Sequence, residues 1–419
     1  MAPSSTHSSS KEKNATSVAS NTFKWDNVTF TTKSRGKQVT LLNGISASVR
    51  GGQMLAVLGP SGSGKTTLLD CLAGRKSVTS GQLSFNGTSS FSMHAISSYV
   101  EQEDALLGVL TVEETLTFTT KLAFPTGVSA AEIQERVKDT MEGLGLSHVA
   151  SNIIGTPIQR GISGGQKRRV TIGNALVTLP KILLLDEPTS GLDSNTAYEV
   201  LLKIRSLAQT HNIAVICTIH SPNWETFSLF EKALLLARGR TMYLGPTKEV
   251  APYFAALGHP CPTHTNPADH ALRLISTDFQ QDSSRVTPDG TVNDDLRTAE
   301  AGQVAVQRSQ LDDFAEAYSR HEEQQASHAT DAHTSDGVLV NHAARPKGKA
   351  SSWMSALFNH TVILTHRNFV NYRRNLLAYG IRCGMYLGMG IMIAAVFQKL
   401  PSIDSRINDR LSVHFYGVA

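Results

Sequence analysis

The sequence predicts an α/β fold around a central parallel sheet, followed by an apolar segment long enough to cross a membrane. Ile182–Leu185 and Ile213–Ile219 are continuous runs of apolar, mostly branched residues. Such runs are typical of parallel strands covered on both faces. The predicted helix Thr196–Leu207 lies between them, as a crossover between parallel strands requires. The apolar segment is Leu376–Phe397, which is 22 residues long.

Shorter patterns complete this prediction along the chain. Further strands are expected at Phe23–Phe30, Val39–Val49, Met54–Leu58, Gln82–Phe85, Ile96–Val100, Ala233–Ala237 and Thr241–Tyr243. Further helices are expected at Lys65–Ala73, Val112–Leu122, Ala130–Met141, Ala268–Ile275, and from about Ser163 to just before Pro180. Because several of these helices follow one another without a strand, we expect a helical insert at about 103–179.

Changes in composition divide the chain into regions, since 419 residues are too many for one compact core. The expected regions are a disordered tail at 1–22, a folded domain at 23–279, a mostly disordered linker at 280–352 with some order near Leu311–Arg320, an amphipathic connecting helix at 353–375, a transmembrane helix at 376–397, and the start of a next membrane segment at 398–419. The tail is rich in Ser and Thr and lacks the apolar run of a secretory signal.

The segment 376–397 is predicted to span a membrane. At about 1.5 Å per residue it is roughly 33 Å long, and Arg382 is its one charged residue. Arg373 and Arg374 lie at one end of it, as basic residues that flank a membrane span do. A buried helix of a soluble protein is the alternative. We also expect the chain to lack the remaining helices of a membrane domain.

Composition argues against two other kinds of site. The net charge is only +4, and no basic stripe with interleaved aromatic residues occurs, so no nucleic-acid partner is expected. The four cysteines are Cys71, Cys217, Cys261 and Cys383, and their spacing is not that of metal ligands. Reduced thiols are the expected state.

A phosphate-binding loop lies between the predicted strand at 54–58 and the helix that begins at Lys65. Its residues are Gly59, Pro60, Ser61, Gly62, Ser63, Gly64, Lys65 and Thr66, with Thr67 next to them. The glycines let backbone N–H groups turn toward phosphates, and the helix adds its positive end. We expect Lys65 to bridge the β- and γ-phosphates and Thr66 to ligate Mg²⁺. ATP and Mg²⁺ are therefore the predicted cofactors.

Polar residues at the ends of three strands complete the predicted catalytic set. Asp186 is expected near the metal, through water, and Glu187 is the candidate for polarising the attacking water. Gln102 is interpreted as a metal-contacting hinge, although an ordinary loop residue is the alternative. His220 is expected to contact the γ-phosphate and orient water, whereas a histidine at a strand end is usually structural.

A second glycine-containing run predicts a paired arrangement of two chains. Ser163 is a good N-cap, and Gly164 and Gly165 allow a phosphate to approach the helix N-terminus before Gln166. Since the chain's own phosphate-binding loop already holds its nucleotide, we expect this run to bind the nucleotide of a partner chain. Asp193 is interpreted as a residue that couples the two sites.

Together these motifs resemble an ATP-binding cassette domain over roughly residues 23–275. Finer stretches are similar to the ABCG (White) subfamily: Gly161–Arg169, Thr218–Pro222, Tyr243–Pro246 and Asn266–Asp269. The resemblance implies a RecA-like P-loop nucleotide-binding domain with antiparallel β and helical subdomains. It implies ATP-driven export of lipids, sterols, pigment precursors or amphipathic drugs by a dimer of half-transporters, identical or different, with six membrane spans each. It also implies that the cassette lies in the cytosol, which agrees with the cluster of Arg367, Arg373 and Arg374 before the predicted span.

The sequence also departs from this family. Thr32 stands where many cassettes place an aromatic residue against adenine, and Phe30 or Trp25 are possible substitutes. His270 stands where an aromatic residue is common. Two other functions stay open: a truncated product that binds ATP without transport, and a soluble cassette ATPase that acts on ribosomes or DNA. The cargo and the identity of the membrane do not follow from the sequence.

Overall fold

A computed structural model describes most of the predicted folded regions. The described residues are 21–34, 36–125, 127–156, 158–276, 309–322 and 350–396. The predicted N-terminal tail up to residue 20, most of the predicted linker and the segment 398–419 lie outside them.

The chain forms two compact units. The first, called here the core unit, comprises 1–105, 138–147 and 163–347, and the second, called the helical unit, comprises 106–137, 148–162 and 348–419. The expected helical insert at 103–179 is therefore divided between the two units.

A six-stranded sheet forms the centre of the core unit, as the apolar runs predict. Its strands are β3 (Met54–Leu58), β5 (Ser97–Val100), β6 (Ile182–Leu185), β7 (Ala214–Thr218), β8 (Lys232–Ala237) and β9 (Arg240–Pro246), in the order β5-β6-β7-β3-β8-β9. All neighbours pair in parallel except β8 and β9, which form an antiparallel hairpin. Residues of β3, β6 and β7 are buried throughout, which explains their lack of polar alternation.

A smaller antiparallel sheet covers part of this core. It contains β1 (Thr22–Ser34), β2 (Lys37–Arg50) and β4 (Ser80–Phe85), in the order β2-β1-β4. Its inward side chains, among them Phe23, Trp25 and Ile45, join one apolar cluster with residues of the central sheet. The two sheets thus enclose a shared hydrophobic core.

The helices of the core unit connect and cover these strands. They are α1 (Lys65–Leu72), α2 (Met93–Ile96), α5 (Gly164–Leu176), α6 (Ser194–His211), α7 (Trp224–Phe227), α8 (Val250–Ala256), α9 (Pro267–Ile275) and α10 (309–322). The sequence patterns do not indicate α2, α7 or α8, because four to seven residues are too few to show helical periodicity.

Helix α10 confirms the expected order near Leu311–Arg320. Leu311, Phe314 and Tyr318 are buried, and the Phe314 ring lies 5.6 Å from the ring of Phe254 in α8. This part of the predicted linker therefore folds against the domain that precedes it.

The helical unit contains α3 (Val112–Ala123), α11 (Ala350–Arg374) and α12 (Leu376–Val396), and α4 (Ala130–Gly143) has residues in both units. α11 and α12 correspond closely to the predicted connecting and transmembrane helices. Among the described residues, no single helix meets the length and hydropathy test for a membrane span. Met354–Arg374 and Tyr379–Ala395 meet it together, as a pair bent by 71°. The span therefore stays a prediction.

Candidate functional site

The phosphate-binding loop joins β3 to α1, as predicted. β3 ends deep in the core, so the loop is anchored at a fixed point beside its parallel neighbours. The φ angles of Gly62 and Gly64 are +73° and +105°, values that favour glycine. A Cβ at Gly59 would collide with the carbonyl oxygen of Leu236. Glycine is thus required here both by conformation and by space.

The side chains of the loop fit a polyphosphate. Lys65 is mostly buried, and its Nζ donates to the carbonyl oxygens of Gly59 (2.8 Å) and Pro60 (3.1 Å), so that it lies folded over the loop. The Ser63 hydroxyl is buried and has no hydrogen-bond partner within the described residues. Burial lowers the pKa of Lys65, while Glu187 and Asp186 act to raise it. A bound anion would give the Ser63 hydroxyl a hydrogen-bond acceptor and the Lys65 ammonium group a counter-charge.

Asp186 follows β6 and is held by three hydroxyl groups. Thr218 donates to Oδ1 at 2.7 Å, Thr66 donates to the same oxygen at 3.3 Å, and Tyr99 donates to Oδ2 at 3.3 Å. Among the described residues, no cluster of three or more His, Cys, Asp or Glu side chains is arranged to hold a metal. A Mg²⁺ ion shared with phosphates needs only one or two carboxylates, so Asp186 with Thr66 fits that ion.

Glu187 is held at its backbone and at its carboxylate. Its φ of 44° is unusual for a residue with a side chain. Its backbone N–H donates to the Thr218 hydroxyl at 2.8 Å, and Gln102 Nε2 donates to its Oε2 at 2.9 Å. The structure therefore brings Gln102 into contact with Glu187, the residue that follows Asp186.

Arg168, on α5, connects the segments that carry these residues. Its guanidinium is buried and donates to Asp104 and to backbone carbonyl groups of the two segments that follow β5 and β6. The carbonyl partners are those of Glu101, Gln102, Asp186, Glu187 and Pro188, at 2.8–3.2 Å. The Asp104 contact is a 3.0 Å ion pair. A planar fork of five donors suits several fixed carbonyl groups in a way that lysine does not.

The N-terminus of α5 has the predicted cap. Ser163 Oγ accepts from the Gln166 N–H at 3.2 Å, and Gln166 Oε1 accepts from the Ser163 N–H at 2.9 Å. The first amides of an α-helix have no partner inside the helix. Space around Gly164 is open, whereas a Cβ at Gly165 would lie 2.5 Å from Thr196 Cγ2. Gly164 thus leaves room for a ligand, and Gly165 allows close packing on α6.

Other predicted residues lie apart from this cluster or have a different local role. His220 is exposed, and in the part of the chain that the structure describes no hydrogen bond joins it to Glu187. Asp193 caps α6 by accepting from the Thr196 N–H at 3.0 Å, which lowers the pKa of Asp193. Trp25 is fully buried beside Phe23, so it is not available to stack on adenine and that suggestion is wrong. Phe30 is only half-buried.

Three residues of the site were missed by sequence reasoning. Arg168 reads as one of three consecutive basic residues, and no pattern marks it as the buried one. Thr218 lies two positions before His220, at the end of an apolar run. A polar residue at the end of a buried strand could have indicated a site residue. Tyr99 lies in the short strand β5, three residues before Gln102. The contact of its hydroxyl with Asp186 depends on the pairing of β5 with β6, which local sequence does not reveal.

Family models match two parts of the chain. The model described as ABC transporter matches residues 42–190, which include the phosphate-binding loop, α5 and both carboxylates. The model described as ABC-2 type transporter matches residues 220–335.

Curated relatives match most of the chain. ABC transporter G family member 13 of Arabidopsis thaliana is 34% identical over 397 residues, which cover 89% of this chain and 56% of that protein. Member 20 of the same organism is 37% identical, over 90% of this chain and 50% of that protein. Member 22 of Dictyostelium discoideum is 36% identical, over 95% and 61%. The chain thus spans about half of the length of the relatives it matches.

One solved structure is a dimeric ATP-binding cassette in a post-hydrolysis state bound to ADP and Pi. It is 24% identical, covers 54% of this chain and 98% of its own, and has a TM-score of 0.46. That score is too low to carry an inference about this chain. The family matches and the curated relatives agree with the geometry of the site: the chain belongs to the ABC transporters, and these curated relatives are members of their G family.

Proposed function

We propose that this chain is the ATP-binding and ATP-hydrolysing part of an ABCG-type half-transporter that works as a dimer. The observation that carries the proposal is the position of both carboxylates beside the phosphate-binding loop, where the charges of Asp186 and Glu187 act on Lys65. Thr66, in that loop, donates to Asp186 at 3.3 Å, and Glu187 is the next residue. Binding and hydrolytic groups therefore belong to one rigid cluster inside the core unit.

Nucleotide binding rests on the loop itself. Backbone N–H groups from Ser61 to Thr66 would surround the phosphates, and Thr67 lies in the first turn of α1. Lys65 exchanges its bonds to the Gly59 and Pro60 carbonyls for phosphate oxygens. Mg²⁺ supplies charge neutralisation for those oxygens, and Thr66 and Asp186 are the residues that would hold it, Asp186 through water.

Hydrolysis rests on Glu187 and the residues that hold it. Its carboxylate, fixed by the Gln102 amide at 2.9 Å, polarises the attacking water. The amide oxygen of Gln102 takes no part in this bond and is the atom that would hold the metal. His220, being exposed, is free to approach the γ-phosphate once nucleotide is bound.

Dimer formation rests on the N-terminus of α5. Ser163 and Gly164 are exposed, and the helix dipole favours an anion at this end. A partner chain supplies that anion as the nucleotide on its own phosphate-binding loop. The exposed Asp193 is placed at the start of α6, where a contact with the partner would couple the two sites.

Coupling to the membrane rests on contacts within the helical unit. Arg374, the last residue of α11, makes a two-pronged ion pair with Glu114 of α3, at 2.6 and 2.8 Å. Nearer the start of α11, Asn359 and His360 lie 2.9 and 3.1 Å from the carbonyl oxygens of Pro125 and Leu122. Motion of α3 therefore acts on α11, and α12 follows after one residue.

The proposed cargo is a lipid, a sterol or another amphipathic compound, moved across the bilayer while the ATP-binding domain faces the cytosol. Support for it comes from the similarity to G family members and from the apolar segment 376–397. Because the chain spans about half of these relatives, any transport needs membrane helices beyond those described.

Turnover of ATP by the 419-residue chain tests the proposal. We expect Mg²⁺-dependent hydrolysis that EDTA abolishes. Glu187→Gln should retain ATP binding and lose turnover, whereas Glu199→Gln, on an exposed turn of α6, should behave as the wild type. A chain that binds no ATP would contradict the assignment. Resistance of the chain to alkaline carbonate extraction tests its membrane association, and full extraction would favour the soluble cassette alternative.

A further inference from the structure

One buried hydroxyl lies between the two carboxylate residues of the site. β6 and β7 pair in parallel with Leu185 opposite Cys217. The next residues, Asp186 and Thr218, therefore lie side by side at the carboxyl edge of the sheet. Thr218 is 0% exposed, so water does not compete for its hydroxyl.

The hydrogen bonds of this hydroxyl have fixed directions. Thr218 Oγ1 has one proton, which it donates to Asp186 Oδ1 at 2.7 Å. The same oxygen accepts the backbone N–H of Glu187 at 2.8 Å. The carbonyl oxygen of Leu185 is farther away, at 3.5 Å. Since a charged carboxylate is the stronger acceptor, the proton goes to Asp186, and a lone pair stays available for Glu187.

This contact is the shortest of those that hold Asp186. The hydroxyls of Thr66 and Tyr99 both lie at 3.3 Å, beyond the usual distance of an O–H···O bond. Thr66 is also the residue expected to turn toward the metal. Thr218 is then the hydroxyl that keeps Asp186 in place while Thr66 changes partner.

The backbone of Glu187 depends on the same hydroxyl. Its φ of 44° lies in the left-handed region, which a side chain disfavours and which persists only where neighbours enforce it. Thr218 binds the N–H of Glu187, and Arg168 donates to its carbonyl oxygen at 3.2 Å. Without the hydroxyl, one side of this strained residue loses its anchor.

We propose that Thr218 is a positioning residue for ATP hydrolysis, which sets the metal-side carboxylate of Asp186 and the strained backbone of Glu187 with a single hydroxyl. The inference rests on the ATPase function proposed above and assigns to that site a group that touches neither nucleotide nor metal. Loss of the hydroxyl therefore impairs turnover and metal use more than nucleotide binding.

Two substitutions in the 419-residue chain separate the hydroxyl from the shape of the side chain. Thr218→Val keeps the shape and removes the hydroxyl, and Thr218→Ser keeps the hydroxyl and removes a methyl group. We expect T218V to lower kcat by about ten- to a hundredfold, as a small misplacement of catalytic groups does. It should also need more Mg²⁺ for half-maximal rate, with Mg²⁺-free ATP binding unchanged. T218S should recover most of the rate and the Mg²⁺ dependence.

Because T218V removes the partner of the partly buried N–H of Glu187, thermal unfolding is measured alongside. If T218V does not fold, T218C replaces it. Cysteine is close in size to serine, but its thiol is a much weaker hydrogen-bonding group than a hydroxyl, so the comparison of T218C with T218S tests the hydroxyl at nearly constant size. A folded T218V with wild-type kcat, or T218C and T218S with equal rates, overturns the inference. An inactive wild-type chain instead defeats the ATPase function itself, so the two failures are distinguishable.

Discussion

Replacement of Arg168 by methionine removes the guanidinium that joins α5 to the two loops of the catalytic site. The side chain of Arg168 is 3% exposed, and the side chain of its ion-pair partner Asp104 is 28% exposed. Breaking a buried pair by removing one partner costs about 3–5 kcal/mol. Methionine fills the space of the aliphatic stem, so no large cavity adds to this cost. The five carbonyl groups that Arg168 binds also lose a donor, and for that reason the upper part of the range is expected.

Thermal unfolding of the core unit measures this loss. For a domain of this size, each kcal/mol shifts Tm by roughly 2–4 °C, so R168M should unfold about 10–20 °C below the wild type. Arg169→Met is the matched control, because Arg169 is the next residue of α5 and, within the described residues, makes two hydrogen bonds, at 3.1 and 3.4 Å, where Arg168 makes six. We expect R169M to lose about 1 kcal/mol. Equal Tm values for R168M and R169M would refute the account of the site's rigidity.

Two further predictions concern charged groups. The hydrogen bonds from Arg374 hold the pKa of Glu114 below its ordinary value of 4.5, so the contribution of this pair to stability is present above that pH and is lost as the pH falls through the lowered pKa. The protection factors of α11 amides, which compare the observed rate with the intrinsic rate at each pH, should therefore fall in acid for the wild type and be low at every pH for E114Q; an equal acid response of both would count against the pair. Lys65→Met should weaken ATP binding at least tenfold, by about 1.4 kcal/mol or more. Lys33→Met, at an exposed position near the end of β1, should leave ATP affinity unchanged, and equal affinities of both variants in calorimetry would remove Lys65 from the site.

Sequence reasoning found the central strands and the phosphate-binding loop because their signals are local. An unbroken apolar run such as Ile182–Leu185 specifies a covered strand, and the glycines of the loop follow from positive φ angles that other residues disfavour. The cap of α5 at Ser163 is likewise a pattern within four residues. These features need no knowledge of which strands are neighbours.

The missed features depend on contacts between distant segments. Thr218 and Asp186 are brought together only by the pairing of β6 with β7. Arg168, and not Arg169, is the buried arginine because the segments 101–104 and 186–188 lie around it. The error on Trp25 has the same origin. An aromatic residue near the start of a domain is equally compatible with a binding surface or a core, and here the packing of two sheets buries it.

The central claim is that two of these chains close over ATP through the N-terminus of α5. Its most direct test is the molar mass in solution of the Glu187→Gln chain, measured by light scattering with and without saturating Mg-ATP. We expect a monomer without nucleotide and a dimer with it, and the added change Ser163→Arg should restore the monomer without affecting ATP binding. An E187Q chain that stays monomeric at saturating ATP would contradict the claim.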